Sequence, residues 1–300
     1  MLLSDLERTC MAHEMNCRFT KTAIRVAAAN VLLLALCDCA NHAGQSRAID
    51  PGANELLHAT FEAQPLGVYT AAMLPADFKN ALLWNNGLDQ GRAAIAQEGG
   101  NKFMRVTYAG NEFGPSLGGV QFKVPFSRGY DELYFSYRVR FAYGFDFVKG
   151  GKLPGFMGGT GPTGCVSDRN GFSARNMWRT GGEIVQYLYA PRKKAVCGDD
   201  YHYSKGAEKQ LFTPGLWQTV EHRLVMNTPG LNDGVMQAWV DGVLVLDVRD
   251  FLFREADSSF SIDMLYFSTF FGGGDQSWAP QKAQVADFDE LIVADRPISH

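Results

Sequence analysis

Residues 132–141 read Glu-Leu-Tyr-Phe-Ser-Tyr-Arg-Val-Arg-Phe, a stretch in which apolar and polar side chains alternate. A period of two is typical of a β-strand that has one face on a core and the other in water. Further runs of the same type cover residues 102–108, 119–124, 182–189, 218–226, 261–270 and 286–294. This pattern predicts a chain built mainly of short strands.

The turns between these runs support the same fold class. Residues 235–246 read as a hairpin with Asp241-Gly242 at its turn, a dipeptide that strongly favours tight β-hairpins. Helical periodicity is weak, and only residues 75–83 are predicted to form one short turn of helix. Many short strands separated by Gly, Pro and Asn predict an all-β fold, a jelly-roll β-sandwich that forms a single domain over residues 55–300.

Composition excludes several classes of protein. The chain has 300 residues, of which 46% are hydrophobic and 20% charged, so a disordered or collagen-like chain is excluded. A net charge of −4 argues against a basic protein that binds nucleic acid. No apolar run reaches the roughly 18–20 residues that a membrane-spanning helix needs.

Residues 1–40 have the pattern of an export signal. Arg18, Lys21 and Arg25 precede an apolar stretch at 26–36, which ends at Cys37-Asp-Cys39-Ala40. Residues 34–37 are similar to a lipoprotein box, although Leu36 stands where a small residue is usual. Lipidation of Cys37 and cleavage without lipidation therefore both stay open, and a buried N-terminal helix is the third alternative. We expect a periplasmic, outer-membrane lipoprotein or extracellular location, with membrane contact only through a lipid on Cys37.

Two cysteines remain in the body of the chain, Cys165 and Cys197. In an oxidising compartment they are most simply one disulfide, which the chain-entropy relation values at about 3–4 kcal/mol for a loop of this length. No Cys-x-x-Cys pair or cluster of histidines accompanies them, so no metal site is expected.

Positive charge is concentrated in one part of the sequence. Residues 149–194 contain eight Lys and Arg but only two acids, in a chain whose net charge is negative. Trp178, Tyr187 and Tyr189 lie in the same window and supply flat rings with polar edges. The window predicts a site for an anionic ligand, and a solvated charged surface is the alternative.

Five side chains of this window form a candidate site. If residues 172–179 and 182–189 pair around Thr180-Gly181, residues two apart on each strand point to one face. The segment 150–155, Gly-Gly-Lys-Leu-Pro-Gly, is predicted to be a turn beside them. The resulting set is Lys152, Ser173, Arg175, Tyr187 and Tyr189.

Several motifs resemble those of polysaccharide lyase family 14, which contains alginate and glucuronan lyases built on a β-jelly roll. They are GGKLPGF, FSARNMWR, VQYLY, MNTPG, WVDG and FSTFFGG followed by Trp278. The resemblance runs from about residue 55 to the C-terminus. It places the family's active-site lysine at Lys152, its Ser-x-Arg pair at Ser173 and Arg175, and its Tyr-x-Tyr pair at Tyr187 and Tyr189. It implies an exported lyase that acts on an acidic polysaccharide by β-elimination.

These residue types suit the removal of a proton from C5 of a uronic acid. Arg175 is a natural bidentate partner for the carboxylate, and Lys152 adds positive charge. Tyr187 or Tyr189 would be the general base, and the same or the other tyrosine would protonate the leaving oxygen. Ser173 would hold the substrate by a hydrogen bond. The reaction needs no cofactor.

Other residues are expected to line the groove, and each residue has a structural alternative. The candidates for substrate binding are Arg179, Arg192, Trp278 and His202. Trp278 is equally suited to anchor a loop, the two tyrosines to pack in a sheet, and Arg175 to form an ion pair with Glu183. His222, in a predicted strand, is expected to be structural.

Two other functions compete with the lyase. A non-catalytic jelly roll that binds sugar would use the same basic, aromatic groove. A glycoside hydrolase would need a pair of carboxylates, and Asp287-Phe-Asp289 alternates but lies outside the basic window. Mannuronate, guluronate and glucuronate all remain open as the uronate that is cut, as do endo and exo cleavage. We expect a monomer that does not bind nucleic acid.

Overall fold

Two antiparallel β-sheets dominate the computed structural model, which describes residues 55–79 and 84–298. The predicted export signal at 1–40, with Cys37, lies outside the described residues. In chain order the strands are β1 (Glu55–Ala59), β2 (Gly67–Val68), β3 (Asn85–Asn86), β4 (Ala93–Glu98), β5 (Asn101–Tyr108), β6 (Gly119–Tyr130), β7 (Glu132–Phe141), β8 (Gly150–Gly159), β9 (Gly171–Arg179), β10 (Ile184–Tyr189), β11 (Asp199–His202), β12 (Ser204–Lys205), β13 (Glu208–Lys209), β14 (Gln218–Val225), β15 (Gly234–Val240), β16 (Val243–Phe251), β17 (Ile262–Phe271) and β18 (Gln284–Ala294).

The strands are divided between a nine-stranded and a seven-stranded sheet. The larger has the order β16-β15-β14-β7-β18-β5-β4-β2, with β1 also paired to β18. The smaller has the order β11-β10-β9-β8-β17-β6-β3, and β12 pairs with β13 as a separate ribbon. Among the described residues, helical structure is limited to α1 (Leu74–Phe78), α2 (Gly114–Leu117) and three 3₁₀ turns. No helix of residues 55–79 and 84–298 is long and apolar enough to cross a membrane.

An aromatic core joins the two large sheets. The ring of Phe122 on β6 stacks on that of Phe267 on β17, with their centroids 4.7 Å apart. Phe267 in turn meets Phe288 on β18 of the opposite sheet at 5.2 Å. Contacts of this kind exclude water between the sheets, and each aromatic pair adds about 0.5–1.5 kcal/mol beyond its buried area. The predicted all-β jelly-roll sandwich is confirmed.

Most of the predicted strands are confirmed almost to the residue. The alternating run 132–141 is β7, and the hairpin predicted at 235–246 is formed by β15 and β16. Asp241 and Gly242 have φ of 49° and 78°, so both residues of the turn are left-handed. That geometry matches the twist of paired strands, which explains why Asp-Gly is favoured here.

One prediction for local structure is confirmed and another was wrong. The short turn of helix expected at 75–83 is α1, which begins at Leu74 and ends at Phe78, and residues 80–83 lie outside the described part of the chain. Lys152 lies inside β8 and not on a turn.

Close packing explains the glycines around Lys152. A Cβ atom on Gly151 would come within 2.0 Å of the Trp178 ring, and one on Gly155 within 2.1 Å of the Ala174 carbonyl oxygen. The glycines therefore let β8 approach its neighbours, which is a recognised use of glycine inside a strand. The pairing of β8 with β9 shifts register between Lys152 and Gly155, and this irregularity accommodates Pro154.

We expect Gly151→Ala to destabilise the protein, because the added methyl group has no space beside Trp178. Overpacking of this kind costs about 1–3 kcal/mol, measured as a lower midpoint of urea unfolding. Gly274→Ala is the matched control, since a Cβ atom there meets nothing within 4 Å. An unchanged midpoint for Gly151→Ala would contradict this packing.

Candidate active site

Strands of the seven-stranded sheet turn alternate side chains away from the core, and these form what we call the polar face. On β9, Ala174 and Trp178 point into the core, whereas Arg175 and Met177 point to the other side. The polar face is defined by Gln121, Lys123, Lys152, Ser173, Arg175, Met177, Tyr187, Tyr189, Tyr266 and Ser268. It brings together all five predicted site residues.

The register of β9 and β10 places the predicted pairs side by side. Arg175 lies opposite Tyr187, and Ser173 lies opposite Tyr189. The chain reverses at the 3₁₀ turn Thr180–Gly182, where Gly181 has φ of 71°. The predicted pairing of these two strands is therefore confirmed. On the other side of β9, Lys152 of β8 lies opposite Met177.

Three basic side chains surround the ring of Tyr187. The Nζ atom of Lys152 lies 3.6 Å from the ring centroid. The guanidinium carbons of Arg179 and Arg175 lie 5.4 and 5.9 Å from the same centroid. A ring face attracts a cation through its quadrupole, and the attraction is strongest where water is excluded. Tyr187 therefore holds positive charge in place without neutralising it.

Lys152 forms no salt bridge with an acid in the described part of the chain. Its side chain is buried, and Nζ donates a hydrogen bond to Sδ of Met177 at 2.7 Å. Burial lowers the pKa of Lys152 well below its usual value, and the charges of Arg175 and Arg179 lower it further. Asp200 acts in the opposite direction but forms its salt bridge with Arg179. An amine in this setting loses its proton far more readily than an exposed lysine does.

Arg175 is a second buried basic side chain, and it too forms no salt bridge with an acid of residues 55–79 and 84–298. Only 2% of the residue is exposed, and its Nη1 donates a long hydrogen bond of 3.4 Å to Ser268 Oγ. Its Nε has no partner among the described residues. The alternative of an ion pair with Glu183 is not observed, because Glu183 binds His202 at 2.7 Å and Lys209 at 2.8 Å.

The hydroxyl groups of Tyr187 and Tyr189 contact each other and two backbone amides. The two hydroxyl oxygens lie 3.3 Å apart. The N–H of Cys165 donates to Tyr189 Oη at 3.0 Å, and the N–H of Gly198 donates to Tyr187 Oη at 2.9 Å. Burial raises the pKa of Tyr187, whereas the Gly198 amide and Arg175 act against this rise. The Tyr187 hydroxyl therefore stays protonated at neutral pH and is equipped to donate its proton.

The predicted disulfide between Cys165 and Cys197 is confirmed. It joins loop 160–170, between β8 and β9, to loop 190–198, between β10 and β11. Each loop supplies one of the amides that reach the tyrosine hydroxyls. The bridge therefore clamps two loops over the polar face at the point where the phenols lie.

Ser173 lies beneath the first of these loops. It is fully buried, and its Oγ donates to the Pro162 carbonyl oxygen at 2.7 Å. This hydrogen bond fixes the loop.

The four residues expected to line the groove have partners of their own. Arg179 forms a bidentate pair with Asp200 at 2.8 and 2.6 Å. His202 binds Glu183 at the edge of the sheet, and Arg192 lies 3.5 Å from Glu255. Trp278 packs against Gly273, where an added Cβ atom would meet the indole at 2.0 Å. Trp278 thus anchors its own loop.

His222 has the structural position that its strand predicted. It is buried, its Nδ1 lies 3.0 Å from Gln186 Oε1, and its ring packs against Phe156 at 5.2 Å. Burial lowers its pKa to about 3, so the ring is neutral at physiological pH.

Several residues of the polar face escaped the sequence analysis. Met177 holds Lys152, Ser268 contacts Arg175, and Tyr266 donates to Gln121 Oε1. Tyr266 and Ser268 alternate in the run 261–270, so the period of two was the signal for their shared face. Nothing local indicated that this face belongs beside residue 175.

The described residues gather neither acids nor metal ligands at the polar face. No group of three His, Cys, Asp or Glu residues able to hold a metal ion occurs in the part of the chain that the structure describes. Asp287 and Asp289 lie on β18 of the other sheet, where Asp287 binds Arg105 at 2.7 Å and Asn101 binds Asp289 at 2.9 Å. A glycoside hydrolase pair is therefore not present at the polar face.

Comparison with known proteins points to one family. The profile described as Polysaccharide lyase 14 matches residues 96–291. Alginate lyase Aly36B is 27% identical, with a TM-score of 0.69 over 81% of this chain and 98% of that one. A variant of it in complex with alginate tetrasaccharide is 26% identical, with the same TM-score and coverage. Alginate lyase vAL-1 from Chlorella virus is 25% identical, with a TM-score of 0.61 over 71% and 91%. The comparison with curated proteins finds no match.

We expect the double variant Cys165→Ser/Cys197→Ser to free both loops. The chain-entropy relation predicts a loss of about 3–4 kcal/mol in the free energy of unfolding. In native-state hydrogen exchange, the amides of Gly198 and residue 165 should exchange faster, while amides of β7 in the opposite sheet serve as the internal control. Unchanged exchange at both loop amides would mean that the bridge does not hold them on the phenols.

Proposed function

This chain belongs to polysaccharide lyase family 14, and we propose that it cleaves alginate by β-elimination at a uronic acid. The observation that carries the proposal is a pair of buried basic side chains, Lys152 and Arg175, that form no salt bridge with any described acid and lie beside two phenols. Alginate is named because the solved structures that are 25–27% identical are alginate lyases.

The first requirement of the reaction is a neutralised carboxylate. Loss of the C5 proton places a second negative charge on the uronate unless a cation lies against its carboxyl group. The unpartnered Nε and the weakly bound Nη1 of Arg175 are donors of the kind that bind a carboxylate in bidentate fashion. Fixed charge in a site without water stabilises the developing enolate most, and this is usually the largest catalytic contribution.

The second requirement is a group that accepts the C5 proton. Residue types alone favoured a tyrosine, but the surroundings of Lys152 suit it better, because burial and two guanidinium groups lower its pKa. Burial instead raises the pKa of Tyr187, so phenolate is scarce. We therefore assign the base to the neutral amine of Lys152, whose orientation Met177 fixes.

The third requirement is a proton for the leaving oxygen. The C5–H electron pair forms the C4–C5 double bond, the C4–O4 bond breaks, and O4 takes a proton from the hydroxyl of Tyr187. The amide of Gly198 donates to the resulting phenolate, and Arg175 lies near its ring. When the products leave, the proton gained by Lys152 and the proton lost by Tyr187 are exchanged with solvent.

The remaining predicted residues support this centre. Tyr189 hydrogen-bonds Tyr187 and the Cys165 amide, and Ser173 holds loop 160–170 through Pro162. We assign both as positioning residues. Arg179, neutralised by Asp200, contributes charge near the Tyr187 ring.

Ultraviolet absorbance during incubation with alginate, its separated blocks and glucuronan tests the reaction, because unsaturated uronyl ends absorb and hydrolysis products do not. We expect Lys152→Arg to lower the rate by roughly 10²–10⁴-fold, since a guanidinium stays protonated and cannot accept the C5 proton. Lys149→Arg is the control, because Lys149 is exposed and binds only Ser277.

The absorbance results distinguish Lys152 as the base, Lys152 as a purely electrostatic residue, and a module that binds sugar without cleaving it. A fully active Lys152→Arg would contradict the base assignment and leave Lys152 a purely electrostatic role. No absorbance change with any substrate, together with retention on a polyuronate affinity gel, would favour the non-catalytic sugar-binding module. Tyr187→Phe, which keeps the ring under Lys152, should also lose activity if Tyr187 is the acid.

We also propose that the enzyme is exported, with residues 1–40 as the signal and one catalytic domain starting near residue 55. The charge pattern of the N-terminus and the disulfide support this proposal. Intact mass of the exported form should give a chain that begins at Cys37 with added lipid, or a later start without lipid. A full-length cytoplasmic product with free Cys165 and Cys197 would contradict export.

A further inference from the structure

The polar face continues past the catalytic residues to a cavity of about 250 Å³. The cavity lies at the β6 side of the sheet, next to the edge strand β3. Its walls are Trp84, Pro115, Gln121, Lys123, Met157, Thr163 and Tyr266. The catalytic proposal uses none of these residues.

Tyr266 connects this cavity to the catalytic centre. The guanidinium carbon of Arg175 lies 5.3 Å from the centroid of the Tyr266 ring, and Lys123 Nζ lies 5.5 Å from the same centroid. Lys123 Nζ is also 5.9 Å from the ring of Trp84. Cations and aromatic rings therefore alternate along one line from Trp84 to Tyr187.

Lys123 resembles Arg175 in lacking an acid. It forms no salt bridge with any residue in the described ranges, and Asp263 influences it only at longer range. Burial and the charge of Arg175 disfavour its charged form, so the carboxylate of a ligand would be an effective partner.

The rest of the cavity suits a sugar ring. Trp84 is 48% exposed and offers a flat apolar surface. Gln121 is fixed, because its Nε2 donates to the Pro115 carbonyl at 2.7 Å and its Oε1 accepts from Tyr266. Ordered polar groups beside an exposed ring are the usual composition of a small-ligand site.

The cavity and the phenols lie on different strands of the sheet. Four strand spacings separate the backbones of β6 and β10, which is roughly 19 Å at the usual distance between paired strands. The side chains close part of this gap, because Tyr266 contacts both Lys123 and Arg175. A polymer that reaches from the Tyr187 hydroxyl to Lys123 must therefore extend beyond the sugar at which the bond breaks. The row of cations and aromatic rings from Trp84 to Tyr187 runs across the strands of the sheet. One extended polysaccharide chain can therefore contact the whole row.

We propose that Lys123, Trp84 and Tyr266 form a distal subsite for a uronate residue, in which Lys123 binds the carboxylate and the Trp84 ring packs against the sugar. The subsite rests on the proposed polyuronate lyase function and makes the enzyme selective for long chains. It acts on binding and leaves the chemical step at Lys152 unchanged.

The test compares Lys123→Ala, Lys123→Arg and Trp84→Ala on long polyuronate and on the shortest oligomer that is cleaved. Removal of one charge-assisted contact should raise KM for the polymer about tenfold and leave kcat unchanged. Lys123→Arg should restore most of the affinity because it keeps the charge. Lys205→Ala, at an exposed position on β12, is the control. On the shortest oligomer none of the variants should differ from the parent.

Each result decides the proposal. Equal effects of Lys123→Ala on polymer and oligomer, or no effect on either with an active parent, would overturn the subsite and leave the lyase intact. If the parent protein is inactive on every substrate, the proposed lyase activity is wrong, and affinity electrophoresis in a gel that contains polyuronate then tests the subsite. If the polyuronate retards the parent protein but not Lys123→Ala, the subsite is supported. If the two proteins migrate equally, the subsite is contradicted.

Discussion

Positive charge gathered around one aromatic ring, that of Tyr187, is the interaction on which the site depends. Lys152, Arg175 and Arg179 all approach this ring, and only Arg179 has an acid, Asp200, as its partner. Burying the Arg175 guanidinium without an acid is unfavourable by itself, and its charge also disfavours a proton on Lys152, so the surrounding fold must stabilise the arrangement. This unfavourable free energy decreases when a polyanion binds, because its carboxylates replace the water that the buried charge has lost. Ligand selection and lysine activation therefore have the same physical origin.

The two sheets impose this arrangement through backbone geometry. The register of β9 and β10 places Arg175 opposite Tyr187, and glycines in β8 bring Lys152 close to the same ring. The core beneath is packed with aromatic rings, which leaves β9 little freedom to shift. Above the sheet, the Cys165–Cys197 bridge holds two amides on the phenol oxygens. Strand pairing, core packing and the disulfide thus all restrict the positions of Lys152, Arg175 and the tyrosine hydroxyls.

The sequence predicted those features of the fold and the site that depend on residues close together in the chain. A period of two identified nearly every long strand, and it placed Arg175 and Tyr187 on one face because their strands adjoin in sequence. The prediction that Lys152 lies on a turn was wrong, because Gly and Pro usually mark turns. Here glycine instead permits close approach between strands that are neighbours only in the folded protein. Gln121 and Tyr266 were missed for the same reason, because the contact between β6 and β17 spans 145 residues of sequence.

Titration of the Lys152 side chain shows whether its amine is activated as a base. The nuclear magnetic resonance signals of isotope-labelled lysine side chains would be followed with pH, and the signal lost in Lys152→Arg identifies the residue. The account predicts that Lys152 titrates well below the other lysines, because it is buried beside Arg175 and Arg179 without an acid. A midpoint at the ordinary lysine value of about 10.4 would contradict it. The positive charge around Tyr187 would then be compensated, and the amine would have no reason to act as a base.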